Sequence, residues 1–182
     1  MVKKIKLKNV VEYSKKRSNA KSLKIDTYIT TDNLLPNKLG LKQATGIPPS
    51  GDSFPAYSEQ NILVSNIRPY LKKIWFSNKN GICSSDVLNF VTKENYSAKF
   101  IYYNLHQDSF FEHMMQGAKG TKMPRGDKNQ ILDFEIPNFP FESQKKIANI
   151  LGDIDTKIDL NNQINDNLSY YFTQLLPVHS SS

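Results

Sequence analysis

Seven cations fall in two short stretches of this chain: Arg68, Lys72 and Lys73 in one, and Lys119, Lys122, Arg125 and Lys128 in the other. The first stretch, Leu63 to Phe76, interleaves its charges with Tyr70 and Trp75. That mixture suits a nucleic-acid surface, because aromatic faces stack on bases while cations hold phosphates. Trp75 and Phe76 equally fit a buried strand. The second stretch, Gln116 to Asn129, contains three glycines and a proline among its charges. A glycine-rich basic loop lets backbone N–H groups and side-chain cations approach phosphates together. The G-x-x-x-x-G-K-[ST] spacing of a nucleotide-binding loop is absent. These seven residues are the candidate DNA contacts.

Little else in the sequence could do chemistry. His106, His113 and His179 have no metal-ligand spacing, and single core or surface histidines are the simpler reading. Neither G-x-G-x-x-G after a strand nor G-x-S-x-G occurs. The acids form no nuclease-like cluster with lysine. Arg68-Pro69-Tyr70 lacks the Asn or Asp and the second proline of an amino-methyltransferase motif. Cys83 is the single cysteine, too few for a disulfide framework or a zinc site, and it fits a reducing compartment. The expectation is a protein with no catalytic residues, no metal and no cofactor of its own. The start, Met1 to Lys8, has no apolar core of a signal peptide. No run of eighteen apolar residues occurs, so no membrane span is expected and the cytoplasm is the expected location.

The elements that must position these cations divide into a body, 1–141, a rod, 142–176, and a tail, 177–182. Of 24 basic and 17 acidic residues, the rod holds three and five, leaving a body with 21 and 12, a net +9. A basic globe on a mildly acidic rod suggests that the globe meets a polyanion and the rod meets protein. Solvated charge in a lysine-rich chain is the plainer alternative.

In the rod, Ile147, Leu151, Ile154, Ile158, Leu168, Phe172 and Leu175 recur at alternating steps of four and three, and the same register passes through Asn161 and Asn165. That is a heptad seam with a polar middle, and Ile164 could carry the seam across a stutter. Pro140 is expected in the first helical turn and Pro177 beyond the last. At 1.5 Å per residue the rod is roughly 50 Å long, and one narrow apolar seam on it predicts a partner helix. Folding back on the body is the alternative.

In the body, 3–12 predicts a strand or helix start, 15–24 a basic turn, and 23–31 a strand. Residues 32–52 predict a long loop with a short strand near Leu41. Leu63-Val64 predicts a buried strand, Arg68-Pro69-Tyr70 a turn, Lys72 to Phe76 a second strand, and Asn78 to Gly81 another turn. Ile82 to Thr92 predicts one strand, 97–115 one helix or two, and Ile131 to Pro137 a last strand. The fold class expected is α+β: a mixed, sheet-rich recognition domain followed by a long coiled-coil helix.

Four stretches, in order, resemble one half of a specificity subunit of a type I restriction–modification enzyme. Leu63-Val-Ser-Asn-Ile-Arg-Pro-Tyr-Leu-Lys-Lys-Ile74 resembles the family's strand and turn after its first variable segment, and Gly81-Ile-Cys-Ser-Ser-Asp86 the strand that follows. Gly120-Thr-Lys-Met-Pro-Arg125 through Ile136-Pro137 resembles the loop and strand that close a target recognition domain. Gln144-Lys-Lys-Ile-Ala-Asn-Ile-Leu151, with Asp155 and Ile158, resembles the spacer helix. The match spans roughly residues 60 to 176, and in the N-terminal third it holds only by position. Full subunits of the family alternate two recognition domains with two spacers, and this sequence shows one of each.

The resemblance implies a chain that reads one half of a bipartite DNA site and performs no catalysis. Methyltransferase subunits carrying S-adenosylmethionine, and restriction subunits, are the partners it implies. The seam and the charge of the body separately predict an antiparallel homodimer through the long helix. A stand-alone dimeric DNA-binding regulator is the alternative, although no clear helix-turn-helix is present. An adaptor whose charge is incidental is a third.

Overall fold

The computed structural model describes residues 2–19, 24–46 and 53–175, with side chains in the last helix described through Ser169 and at Tyr171. In chain order the strands are β1 (Lys4–Lys6), β2 (Val11–Tyr13), β3 (Arg17–Asn19), β4 (Tyr28–Ile29), β5 (Ser53–Tyr57), β6 (Ile62–Ser65), β7 (Ile74–Phe76), β8 (Gly81–Cys83), β9 (Val87–Thr92) and β10 (Glu135–Pro137). The helices are α1 (Ala98–Leu105), α2 (Asp108–Gln116), α3 (Lys128–Ile131) and α4 (Phe141–Leu175).

The central sheet has the order β2-β9-β6-β7 and is antiparallel throughout. Its middle strands are apolar on both faces, because both faces are covered. Ile62, Val64, Leu88 and Phe90 pack with Phe100, Ile101, Leu105, Phe110, Phe111 and Met114 of α1 and α2. On the other face Leu63 and Val87 join Ile29, Tyr57 and Cys83 of the second sheet, β3-β5-β8-β4, and Leu34 of the loop after β4. Buried Asn89 donates to the Ala56 carbonyl at 2.9 Å and so ties the sheets together. The Cys83 thiol lies in this second core, where burial pushes its pKa up to about 12 and keeps it inert.

Several boundaries differ from those the sequence predicts. The segment read as a basic turn contains β3, an edge strand paired with β5. The strand expected over 23–31 shrinks to two residues, paired parallel to β8. Ile82 to Thr92 is two strands in different sheets, broken at Ser84–Asp86. The expected strand near Leu41 is a single bridge between Leu34 and Leu41. The 97–115 segment is two helices, and Ser97 caps the first by accepting the Phe100 N–H at 3.3 Å.

Gly81 shows how tightly the second sheet closes. A Cβ there would sit 2.2 Å from the Thr27 carbonyl oxygen and 2.5 Å from the Tyr57 hydroxyl. That hydroxyl donates to the same carbonyl at 3.0 Å. Gly81→Ala is therefore expected to destabilise the chain by about 2–3 kcal/mol, the upper range for overpacking. Urea unfolding checks this, and an unchanged midpoint would contradict the close approach.

A two-stranded ribbon, β1 with β10, brings the chain start to the base of the long helix. The Pro140 carbonyl accepts the Gln144 N–H at 3.0 Å, so Pro140 sits just before the first helical turn rather than in it. Gln144 is buried and donates to the Phe139 carbonyl at 2.8 Å, while its Oε1 accepts the Ser97 N–H at 3.0 Å. Ala148 and Gly152 continue this docked face, and the Tyr103 hydroxyl donates to Asp155 at 2.6 Å. Burial, and then that pairing, raise the Tyr103 pKa. Of the expected seam, Ile147 packs partly on the body and Leu151 is half-buried. Ile154, Ile158, Asn161, Asn165 and Leu168 are exposed, and so is Ile164. The side chains of Phe172 and Leu175, and the tail from 176, lie outside the described residues.

Candidate nucleic-acid interface

The loop from Gly117 to Asp127 is fastened across the turn after β6. The Arg125 N–H donates to the Lys119 carbonyl and the Lys119 N–H to the Arg125 carbonyl, each at 2.9 Å. Arg125 also forms a β-bridge with Ile67. The Arg68 N–H donates to the Pro124 carbonyl at 2.8 Å, and the Gly126 N–H to the Asn66 carbonyl at 3.2 Å. Gly126 must lack a side chain for this approach, since a Cβ would meet Ile131 at 2.9 Å and Asn66 Oδ1 at 3.0 Å. The fold thus ties the backbone of Arg68, whose side chain is half-buried, to the loop that carries Lys119, Lys122 and Arg125. Lys119, Lys122 and Arg125 are exposed.

Local partners orient these cations. Arg125 Nη2 lies 3.1 Å from Asp86, and Lys119 Nζ 3.7 Å from Asp127. Asp127 caps α3 by accepting the Asn129 and Gln130 N–H groups, which holds its carboxyl below the usual range, with Lys119 adding to the effect. Lys128 follows in α3, its ammonium 5.9 Å from the centre of the Tyr13 ring. The Tyr13 hydroxyl donates to the Lys128 carbonyl at 2.9 Å.

Lys72 and Lys73 have partners of their own. The 3₁₀ turn Pro69–Leu71 is flanked by Arg68 and Lys72, both left-handed at φ 50° and 51°. Such angles are costly for residues with long side chains and persist only where neighbours hold them. Arg68 is held by the basic loop, as above. Lys72 is held by the 30–46 loop, because its carbonyl accepts the Lys38 N–H at 2.9 Å. Its ammonium pairs with Asp108, and Lys73 Nζ donates to the Thr31 carbonyl. Burial lowers the Lys73 pKa. These two lysines brace the 30–46 loop, and Lys73 still lies close enough to Arg68 to feel its charge. Tyr70, between the flanks, is exposed beside Phe111 and Met115.

Asp108 carries the brace, with Lys38 and Lys72 at 2.7 and 2.8 Å. Their hydrogen bonds pull its pKa from 3.8 down to about 2. A carboxyl with a depressed folded pKa stabilises above its unfolded pKa and loses that effect as pH falls through the folded value. Asp108→Asn should therefore melt below wild type at neutral pH, and the gap should close between about pH 4 and pH 2. Thermal melts across that range decide it; a gap independent of pH would assign the loss to helix packing.

The sequence reading missed Asp86 and Asn66. Each touches the loop across a long sequence interval, and no spacing rule signals such a contact. His106 and His113 are structural: His113 Nε2 lies 2.8 Å from the Gln130 carbonyl, and His106 packs on Tyr102. Among the described residues no group of three or more His, Cys, Asp or Glu could hold a metal, and no helix is long and apolar enough to cross a membrane.

Comparison with known proteins adds four findings. Residues 1–170 match the family model of the type I restriction modification DNA specificity domain. The specificity subunit of the type I restriction enzyme MjaVIII from Methanocaldococcus jannaschii is 36% identical over 91 residues, 49% of this chain and 21% of that protein. The HsdS subunit from Thermoanaerobacter tengcongensis superposes at a TM-score of 0.62 with 14% identity, over 99% of this chain and 50% of that one. The type I S subunit from M. genitalium gives 0.56 with 18% identity, over 96% and 46%. The chain thus spans about half the length of these solved structures, which share its fold: a sheet-rich α+β body and a long terminal helix.

Proposed function

The chain belongs to the type I restriction modification DNA specificity domain family, and from that premise we propose that it reads one half of a bipartite DNA site for a type I restriction–modification methyltransferase. The observation that carries this reading is the fastened loop, which holds exposed Lys119, Lys122 and Arg125 and is bonded to the backbone of Arg68. The fold supplies position and charge for DNA; chemistry would come from methyltransferase subunits that bind S-adenosylmethionine, and cleavage from restriction subunits.

The exposed part of α4 supports pairing of two copies. From Asp153 through Ser169 every residue is exposed, and Ile154, Ile158, Ile164 and Leu168 among them are apolar. In an antiparallel pair Asn161 and Asn165 would lie near the two-fold axis, where amides can satisfy each other. The basic bodies would stand at opposite ends, avoiding the repulsion of a parallel pair. The DNA site would then be palindromic with an unread centre.

The test is to combine the chain with a cognate methyltransferase subunit and map adenine methylation on genomic DNA. A two-fold symmetric, interrupted site is expected. Methylation without sequence preference would remove the specificity role, and an asymmetric site would remove the homodimer.

A further inference from the structure

We infer that Arg125, oriented by Asp86, is the residue of this surface that reads a base, and that it takes the acceptor edge of a guanine in the major groove. The inference rests on the DNA-specificity reading above.

Arg125 combines a fixed base with a free end. Its backbone is paired with Lys119 in both directions and bridged to Ile67. Pro124 and Gly126 on either side are buried. Its side chain is nonetheless 58% exposed. Its guanidinium lies 3.1 Å from the Asp86 carboxylate. Asp86 is itself fixed: its N–H donates to Ser84 Oγ at 3.3 Å, and its carbonyl accepts the Asn66 N–H at 2.9 Å. The Asn66 carbonyl in turn accepts the Gly126 N–H, so the arginine and its aspartate hang from the same residue.

That carboxylate selects the kind of acceptor. A phosphate oxygen brought to Arg125 would face the negative charge of Asp86 across the same guanidinium. Guanine O6 and N7 are uncharged acceptors with no such penalty, and they match the parallel N–H pair of a guanidinium. With five donors, Arg125 can keep Asp86 and still offer two to a base. Lys122, exposed at the middle of the loop, suits phosphate instead.

The test is selection from a pool of randomised 30-base-pair duplexes by the wild-type chain and by Arg125→Lys, Asp86→Asn and Lys122→Gln, each checked for a wild-type melt. Wild type should enrich a guanine that Arg125→Lys loses by about tenfold or more, the scale of one bidentate contact. Asp86→Asn should lose part of the same preference while binding unselected DNA more tightly. Lys122→Gln should keep the preference and weaken binding to every duplex alike. If Arg125→Lys instead weakens all duplexes equally and leaves every base preference intact, Arg125 is a phosphate contact and the inference is overturned. If wild type enriches no sequence at all, the specificity reading falls first, and this inference with it.

Discussion

Replacing Ile154 and Ile158 together with glutamate is expected to convert a dimer into a monomer. The two residues stand 47% and 52% exposed on α4, with Ile158 bordering the cleft that Leu39 and Tyr102 of the body line. Full burial of an isoleucine is worth roughly 1.5–3 kcal/mol, so covering the exposed half yields about half of that. Two-fold symmetry uses each residue twice, for roughly 3–6 kcal/mol in total. At about 1.4 kcal/mol per tenfold, the loss corresponds to an association weakened by on the order of 10²–10⁴. The introduced carboxylates add repulsion across the axis. Gln163 is the matched control: it is exposed and lies nine residues beyond Ile154, about half a turn away on the helix. Gln163→Glu should leave the dimer intact. Sedimentation velocity over a concentration series reads all three proteins. Wild type that stays monomeric, or a double variant that still pairs, would show that this stripe serves another partner.

Parts of this architecture were legible in the sequence for a physical reason. A 35-residue helix with apolar steps of three and four announces itself, because its periodicity is local and long. The buried strand at Leu63–Val64 was legible for the opposite reason: a short apolar run bounded by turns has few other uses. What was lost is what depends on distant partners. Arg17–Asn19 is a strand only because Ser53–Pro55 lies alongside it, and nothing in its own residues favours extension. Lys72 and Lys73 follow Arg68 and Tyr70 in sequence and looked like part of one basic patch. The left-handed turn gives their ammonium groups partners in Asp108 and the Thr31 carbonyl, with Lys73 still within reach of the Arg68 charge. Arg68 and Arg125 are 57 residues apart and become neighbours through one backbone bond to Pro124, which no charge count reveals.

That separation of the lysines gives the sharpest test of where DNA lies. If Arg68, Lys119, Lys122 and Lys128 each neutralise one phosphate, log affinity should fall with log salt at a slope of about −3.6 per chain. Between 50 and 200 mM salt that is a loss of roughly 10²-fold. Removing Lys122 deletes one released counterion, so Lys122→Gln should flatten the slope by about 0.9. Lys72 carries the same charge only a few residues from Arg68, yet its ammonium is spent 2.8 Å from Asp108. Lys72→Gln should leave the slope unchanged and lower the melting temperature, because it frees one oxygen of Asp108 and loosens the 30–46 loop. Duplex titrations at four salt concentrations distinguish the two lysines. Equal flattening by both variants would mean that DNA also covers the Asp108 brace, and that the interface extends well past the fastened loop.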